Sequence, residues 1–182
     1  PWSRDLALDY LEDSSPRGPA GCARDAALAT SADTFVVVEG TVVPTLDLDA
    51  LLEAHSRSKA SLTIVVNEDA LRQMGEVRGA TPAGVYVFSR RALDVVSSTG
   101  FQDIKEHLIP ALRTRSERVV AYVAPEVSPR VLNAATYLAV NHWVIEQLPR
   151  MPTLGDGWDG FSAVGEVVKH AAANVHPSAT LV

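Results

Sequence analysis

The chain has 182 residues, 47% of them hydrophobic and 21% charged, a balance that excludes a disordered or collagen-like chain. Its 16 Lys and Arg stand against 22 Asp and Glu, a net charge of −6, with the basic residues scattered. That argues against a nucleic-acid partner, because neutralising phosphates needs a clustered basic face. A single cysteine, Cys22, excludes an internal disulfide and favours a cytoplasmic location. No apolar run reaches the roughly 18 residues of a membrane span, and no signal-peptide pattern opens the chain. The length suits one domain, or one with a small appendage, and such a chain buries a core without a disulfide or metal.

In chain order, residues 6–11 (LALDYL) read as a short strand and residues 14–21 (SSPRGPAG) as a loop. Alanine-rich residues 22–30 predict a helix. The β-branched run TFVVV at residues 34–38 predicts a buried parallel strand, and Glu39-Gly40-Thr41 turns the chain. Residues 46–55 predict a helix with Asp47 as N-cap. Residues 61–66 (SLTIVV) read as a buried strand, and residues 67–82 carry no sustained period. Residues 85–88 predict a strand and 90–96 a short helix.

Ile104, Leu108, Ile109 and Leu112 share one face of a helix over residues 102–115, which Pro110 should bend or shorten. Residues 118–123 (RVVAYV) read as a strand. Residues 132–148 form the longest helical pattern, with Leu132, Tyr137 and Leu138 among the residues available to pack. Residues 151–160 are turn-rich, and 164–172 read as a short helix or strand. The chain opens at Pro1 in mid-pattern and reaches Val182 at what reads as the start of a repeat, so flanking sequence is expected beyond both ends. Alternating strands and helices predict a mostly parallel sheet covered on both faces, with ligands at the strands' carboxyl ends.

Five segments, in order, resemble the sugar-1-phosphate nucleotidyltransferases, the family of mannose-1-phosphate guanylyltransferases. SPRGPAGCARDA (15–26) is similar to the family's "PLGTAGAL" loop and helix. FVVVEGTVVPTLDLDALLEAH (35–55) is similar to "FLVVNGDVLTDLDLDALLEFH", and PAGVYVFSRRALD (82–94) to "NAGIYVFSPEVLD". GFQDIKEHLIPAL (100–112) is similar to "FFDIEEDLIPAL", and NAATYLAVNHWVIE (133–146) to "TPEDYLRANRDLL". The tail VHPSATLV (175–182) resembles the first coil of a left-handed β-helix built of hexapeptide repeats, which must stack to be stable.

The resemblance implies a Rossmann-like, three-layer α/β/α nucleotidyltransferase fold with a mixed, mostly parallel sheet. It implies a domain over residues 1–150, a linker over 151–174 and the start of a β-helix at 175–182. The implied reaction is attack of a sugar-1-phosphate on a nucleoside triphosphate with release of pyrophosphate, where positioning and charge neutralisation supply the catalysis.

On this chain the family's machinery is incomplete. The glycine-rich triphosphate loop is absent. The first metal aspartate falls on Thr41, in Glu39-Gly40-Thr41 where the family has Asn-Gly-Asp, and the second falls on Arg130, with Ser128 at the preceding tryptophan position. The Glu-Lys-Pro segment is missing from residues 67–82, where the nearest basic residues are Arg72 and Arg78, and the sugar-contacting Asn is Pro82. Glu39, a carboxylate two residues before Thr41, is not expected to rescue the metal site. The resemblance still implies nucleotide contacts at Gly18, Ala20 and Gly21, where a tight turn into a helix is the bland alternative, and a sugar contact at Gly84.

The expected cofactor is none, or Mg²⁺ if the domain is active. Expected partners are a nucleotide or nucleotide sugar and other subunits, homo- or hetero-oligomeric, through the β-helix tail, with no nucleic acid and no membrane. The losses point to a degenerate domain acting as a regulatory, sensor or assembly subunit. The alternatives are an active transferase with segments supplied from outside this sequence, and a pure scaffold. Other candidates have plainer readings. Asp103, Glu106 and His107 are a solvated helix face before a metal trio. His55 is a partner of a helix C-terminus, His142 and Trp143 are packing residues, His176 is a turn residue and Trp158 anchors the linker. Cys22 stands near a helix start, which lowers a thiol pKa, but reads as a small buried residue.

Overall fold

The computed structural model describes residues 8–13, 15–67, 82–147, 161–164, 167–170, 172 and 174. The chain divides into two units, residues 10–129 and residues 1–9 with 130–182.

The larger unit is an α/β layer structure. Its elements are α1 (Gly18–Leu28), β1 (Thr34–Val38), α2 (Leu48–Ser58), β2 (Leu62–Asn67), β3 (Pro82–Ser89), the four-residue α3 (Arg90–Leu93), a π-helical turn (Ile104–Leu108) running into α4 (Ile109–Thr114), and β4 (Val119–Ala124). The four strands form one sheet in the order β1-β3-β2-β4. β2 pairs parallel with β4, whereas β3 pairs antiparallel with both β1 and β2. Three strands thus point one way, but two of the three pairings are antiparallel, because β3 lies between β1 and β2.

Alternation along the central strands explains the layers. Leu62, Ile64 and Val66 of β2 and Tyr86 and Phe88 of β3 pack on one face with Ala20, Ala27, Leu93, Ile104 and Leu112. Val65, Val85 and Val87 pack on the other face with Leu51 of α2 and Val42. β2 and β3 are buried along nearly their whole length, as a strand covered on both faces should be. β1 differs from the expectation of a buried strand. Its burial alternates, because among the described residues it is an edge that pairs with β3 alone.

Local chemistry sets the helix boundaries. Asp47 caps α2, its carboxylate accepting the Ala50 N–H at 3.0 Å. α2 ends at Lys59, in the left-handed region at φ 51°. α1 starts four residues before the expected helix, because Pro19 suits a first turn and residues 18–21 are helix and not loop. Its end is held by Arg90, whose guanidinium donates to the carbonyls of Ala27, Thr30 and Ala32 while lying over the Phe35 ring at 5.1 Å. Pro110 falls in the first turn of α4, so the long pattern at 102–115 is split into a π turn and an α-helix. Residues 8–13 form no strand, and Leu8, Tyr10 and Leu11 are exposed.

In the smaller unit α5 spans Ala134–Gln147, its first turn held by Asn133 Oδ1 accepting the Thr136 N–H at 3.0 Å. Leu132, Tyr137 and Leu138, expected to pack, are exposed, whereas Val144 and Ile145, also expected to pack, are half-buried, and Val140 is the buried residue of α5. His142 is exposed and Trp143 half-buried. β5 (Phe161–Val164) and β6 (Val167–His170) pair antiparallel within the stretch assigned to a linker. Arg72, Arg78, Trp158, His176 and the β-helix start at 175–182 lie outside the described residues.

Candidate functional site at the carboxyl ends of the strands

In α/β sheets ligands gather beyond the carboxyl ends of parallel strands. Here those ends are Val38 of β1, Asn67 of β2 and Ala124 of β4, with Asn67 opposite Ala124. β3 runs the other way, so its first residue, Pro82, arrives at the same end, paired with Val66.

β1 stops at Val38, and the chain turns at once, the Val42 N–H donating to Glu39 O at 2.9 Å. The Val43 N–H then donates to Pro129 O at 2.9 Å, and Thr45 lies 3.5 Å from the buried Ser128 hydroxyl. Thr41 sits exposed on this turn. Because the strand has ended, strand alternation does not set the direction of Glu39. The half-buried Glu39 instead lies beside Tyr86, whose hydroxyl donates to Glu39 Oε1 at 3.2 Å, and its own N–H donates to Gly84 O at 2.8 Å.

A magnesium-type ion needs several hard oxygen ligands, carboxylates above all. Residue 41 offers a neutral hydroxyl, and Glu39 already accepts from Tyr86. Among the described residues no group of three or more His, Cys, Asp or Glu could hold a metal ion. These residues do not fit a magnesium site. Thr41 and Arg130 fall in different units. Asn67 is the notable polar residue at this end that sequence reasoning missed. Its Oδ1 is buried with no hydrogen-bond partner among the described residues. A lone Asn at the end of an apolar run, SLTIVVN, was the available signal.

Gly84 has φ +82° inside β3, where the register with β2 slips between Ile64 and Val66. The glycine permits that bulge. Gly18 has φ +71°, and a Cβ there would lie 2.6 Å from Gln102 O. Ala20 is fully buried, and its N–H is committed to Gln102 O at 3.0 Å. At Gly21 a Cβ would lie 2.9 Å from the Arg17 side chain. Arg17 clamps this loop, donating to Asp25 at 3.0 Å and to Ser97 O at 2.9 Å. Its guanidinium holds the Asp25 carboxyl below the usual carboxylate range. The pocket beside the loop holds only about 70 Å³.

Cys22 is exposed, not buried, and its thiol is raised, not lowered. Partial desolvation comes first among the causes, followed by the hydrogen bond and charge of Asp13. Asp103 caps the π turn, accepting the N–H groups of Lys105 and Glu106, while His107 Nδ1 accepts the Asp103 N–H at 3.0 Å. These groups serve the helix start. His55 stands in the last turn of α2, as expected, but as a buried residue. It is 5% exposed and bonded through Nδ1 to Thr63 Oγ1 at 2.7 Å. Its place four residues after Leu51, on the buried face of α2, was the signal.

No protein-family model and no curated protein matches the chain. Solved structures do. The chain is similar to HddC from Yersinia pseudotuberculosis, in a crystal structure complexed with GMP-PN, at a TM-score of 0.56 and 16% identity, covering 72% of this chain and 64% of that one. A further HddC structure from the same organism gives a TM-score of 0.53 and 16% identity, covering 70% and 62%. The chain thus spans under two thirds of the length of the protein it resembles. Among the described residues no helix is long and apolar enough to cross a membrane. What the likeness shows is the fold, an α/β arrangement shared with HddC.

Proposed function

We propose that this chain is a nucleotidyltransferase-type domain that has lost its metal-dependent chemistry and serves as a sensor, regulatory or assembly subunit of nucleotide-sugar metabolism. The observation that carries the reading is the turn after β1. The residue aligned with a metal aspartate is a threonine, and the carboxylate two residues before it accepts a tyrosine hydroxyl. Charge stabilisation by a metal is worth several kcal/mol in such reactions, so its loss removes the main catalytic term.

The ligand in this reading is a nucleotide or nucleotide sugar. The buried, unpartnered Asn67 Oδ1 supports a ligand over a bare scaffold, because an orphaned acceptor costs about 1–3 kcal/mol until a donor such as a sugar hydroxyl reaches it. Gly84, on the neighbouring strand, would contact the sugar, and the Gly18–Gly21 loop the base. Assembly, homo- or hetero-oligomeric, runs through the tail. Calorimetric titration with GDP-mannose and UDP-glucose tests the sensor role: saturable heat supports it, and no heat with any nucleotide sugar leaves only the scaffold. The second reading is an active transferase, in which Mg²⁺ is held by carboxylates supplied from elsewhere. The same open acceptor at Asn67 is compatible with it, and pyrophosphate release separates the two.

A further inference from the structure

A cleft lies at the opposite end of the sheet from the carboxyl ends of the strands. It holds about 600 Å³, between the C-terminal turn of α2, the start of β1 and the end of β3. That is within the range of small-molecule sites. Leu52 and Ala60 form an apolar wall, and His55, Ser56, Lys59 and Arg91 supply polar groups, with Asp33 exposed at the rim.

Two features make this a built site. The first is His55, 5% exposed, with Nδ1 fixed 2.7 Å from the Thr63 hydroxyl. Thr63 is 1% exposed and its hydroxyl has no other partner among the described residues, so its buried proton is satisfied by donating to Nδ1. Nε2 then carries the ring proton. It has no hydrogen-bond partner among the described residues, and His55 is one of the residues lining the cleft. The second is Lys59, held in the left-handed conformation that ends α2, without an ion pair among the described residues. The neighbouring carbonyls are already capped. Ser58 Oγ donates to His55 O at 2.8 Å, and the Lys59 N–H to Ser56 O at 3.0 Å. Arg91 donates to Lys59 O at 2.7 Å and to Ser61 Oγ at 2.9 Å, and its charge is shared with Glu117 at 3.3 Å.

We propose that this cleft binds a small anion, a carboxylate- or phosphate-bearing molecule with an apolar part, recognised by His55 Nε2–H and the Lys59 ammonium. His55, Lys59 and Arg91 offer donors to the cleft, the acidic Asp33 at its rim faces Arg90 at 3.9 Å, and the exposed Lys59 side chain has no ion pair among the described residues. The site is separate from the carboxyl ends of the strands, so its occupancy is independent of the function proposed there.

The test is histidine-ring NMR on the full chain at pH 7, with the His55 signal assigned by its loss in His55→Gln. Inorganic phosphate and acetate are titrated in turn at constant ionic strength, with sodium chloride as control. A saturable shift of the His55 ring with one or both anions is expected, and the stronger of the two names the headgroup. Lys59→Gln should weaken that binding about tenfold or more, from the loss of one charge-assisted hydrogen bond, while Lys59→Arg retains it and both melt like the parent. A drift equal to that in sodium chloride means an adventitious ion only, and it overturns the proposal. So does equal affinity in Lys59→Gln.

Discussion

Tyr86 of β3 donates its hydroxyl to Glu39 just past β1, 3.2 Å away, and so engages one oxygen of the carboxylate nearest in sequence to residue 41. The two residues are 47 apart in the chain and meet because β3 is inserted antiparallel against β1, with Val37 opposite Tyr86. Replacing Tyr86 by Phe removes that donor from a half-buried carboxylate. The expected loss of stability is about 1 kcal/mol, read from urea unfolding.

Gly18 makes a sharper prediction. Its φ of +71° is strained for any side chain, and a Cβ would meet the Gln102 carbonyl at 2.6 Å. Gly18→Ala should destabilise by roughly 1–3 kcal/mol, with a matching fall in thermal midpoint. Gly40, also a glycine of the candidate site, has nothing within 4 Å of such a Cβ, so Gly40→Ala should change stability by less than about 0.5 kcal/mol.

Arg90 ties the end of α1 to the start of α3 through three main-chain carbonyls and a ring contact. Lysine carries the charge but not the planar fork. Arg90→Lys should therefore cost about 1.5–3 kcal/mol by chemical denaturation, more than a conservative exchange at an exposed site.

Burial holds the His55 pKa below the ordinary histidine value, with the Arg91 charge as the second cause. Between the lowered folded value and about 6.5 in the unfolded chain, the unfolded state binds more protons. The stabilising contribution is therefore complete above about pH 6.5 and is lost as pH falls through the folded value. Thermal midpoints measured from pH 7.5 to 5 should decline on the acid side, and His55→Gln should flatten that decline.

Much of the sheet and its helices was legible in the residues. TFVVV and LTIVV announce strands by β-branching, and Asp47 announces α2 by its cap, because both signals act within a few residues. The position of β3 between β1 and β2 leaves no mark in composition, since strand order depends on contacts distant in sequence. α1 began earlier than its alanines suggest because Pro19 and Gly18 read equally as a loop and as a helix start. α5 looked able to pack, yet its apolar residues do not gather on one stripe, and Tyr137 and Leu138 are exposed. At the site, Thr41 could be placed from its neighbours. The Tyr86 bond to Glu39 and the Thr63 bond to His55 could not, because each joins separate elements.

Pyrophosphate release tests the central claim most directly: the chain is assayed with mannose-, glucose- and N-acetylglucosamine-1-phosphate against each of the four nucleoside triphosphates, with and without Mg²⁺. The account predicts no metal-dependent release above the protein-free background for any pair. Sustained Mg²⁺-dependent turnover with any one of them would contradict it.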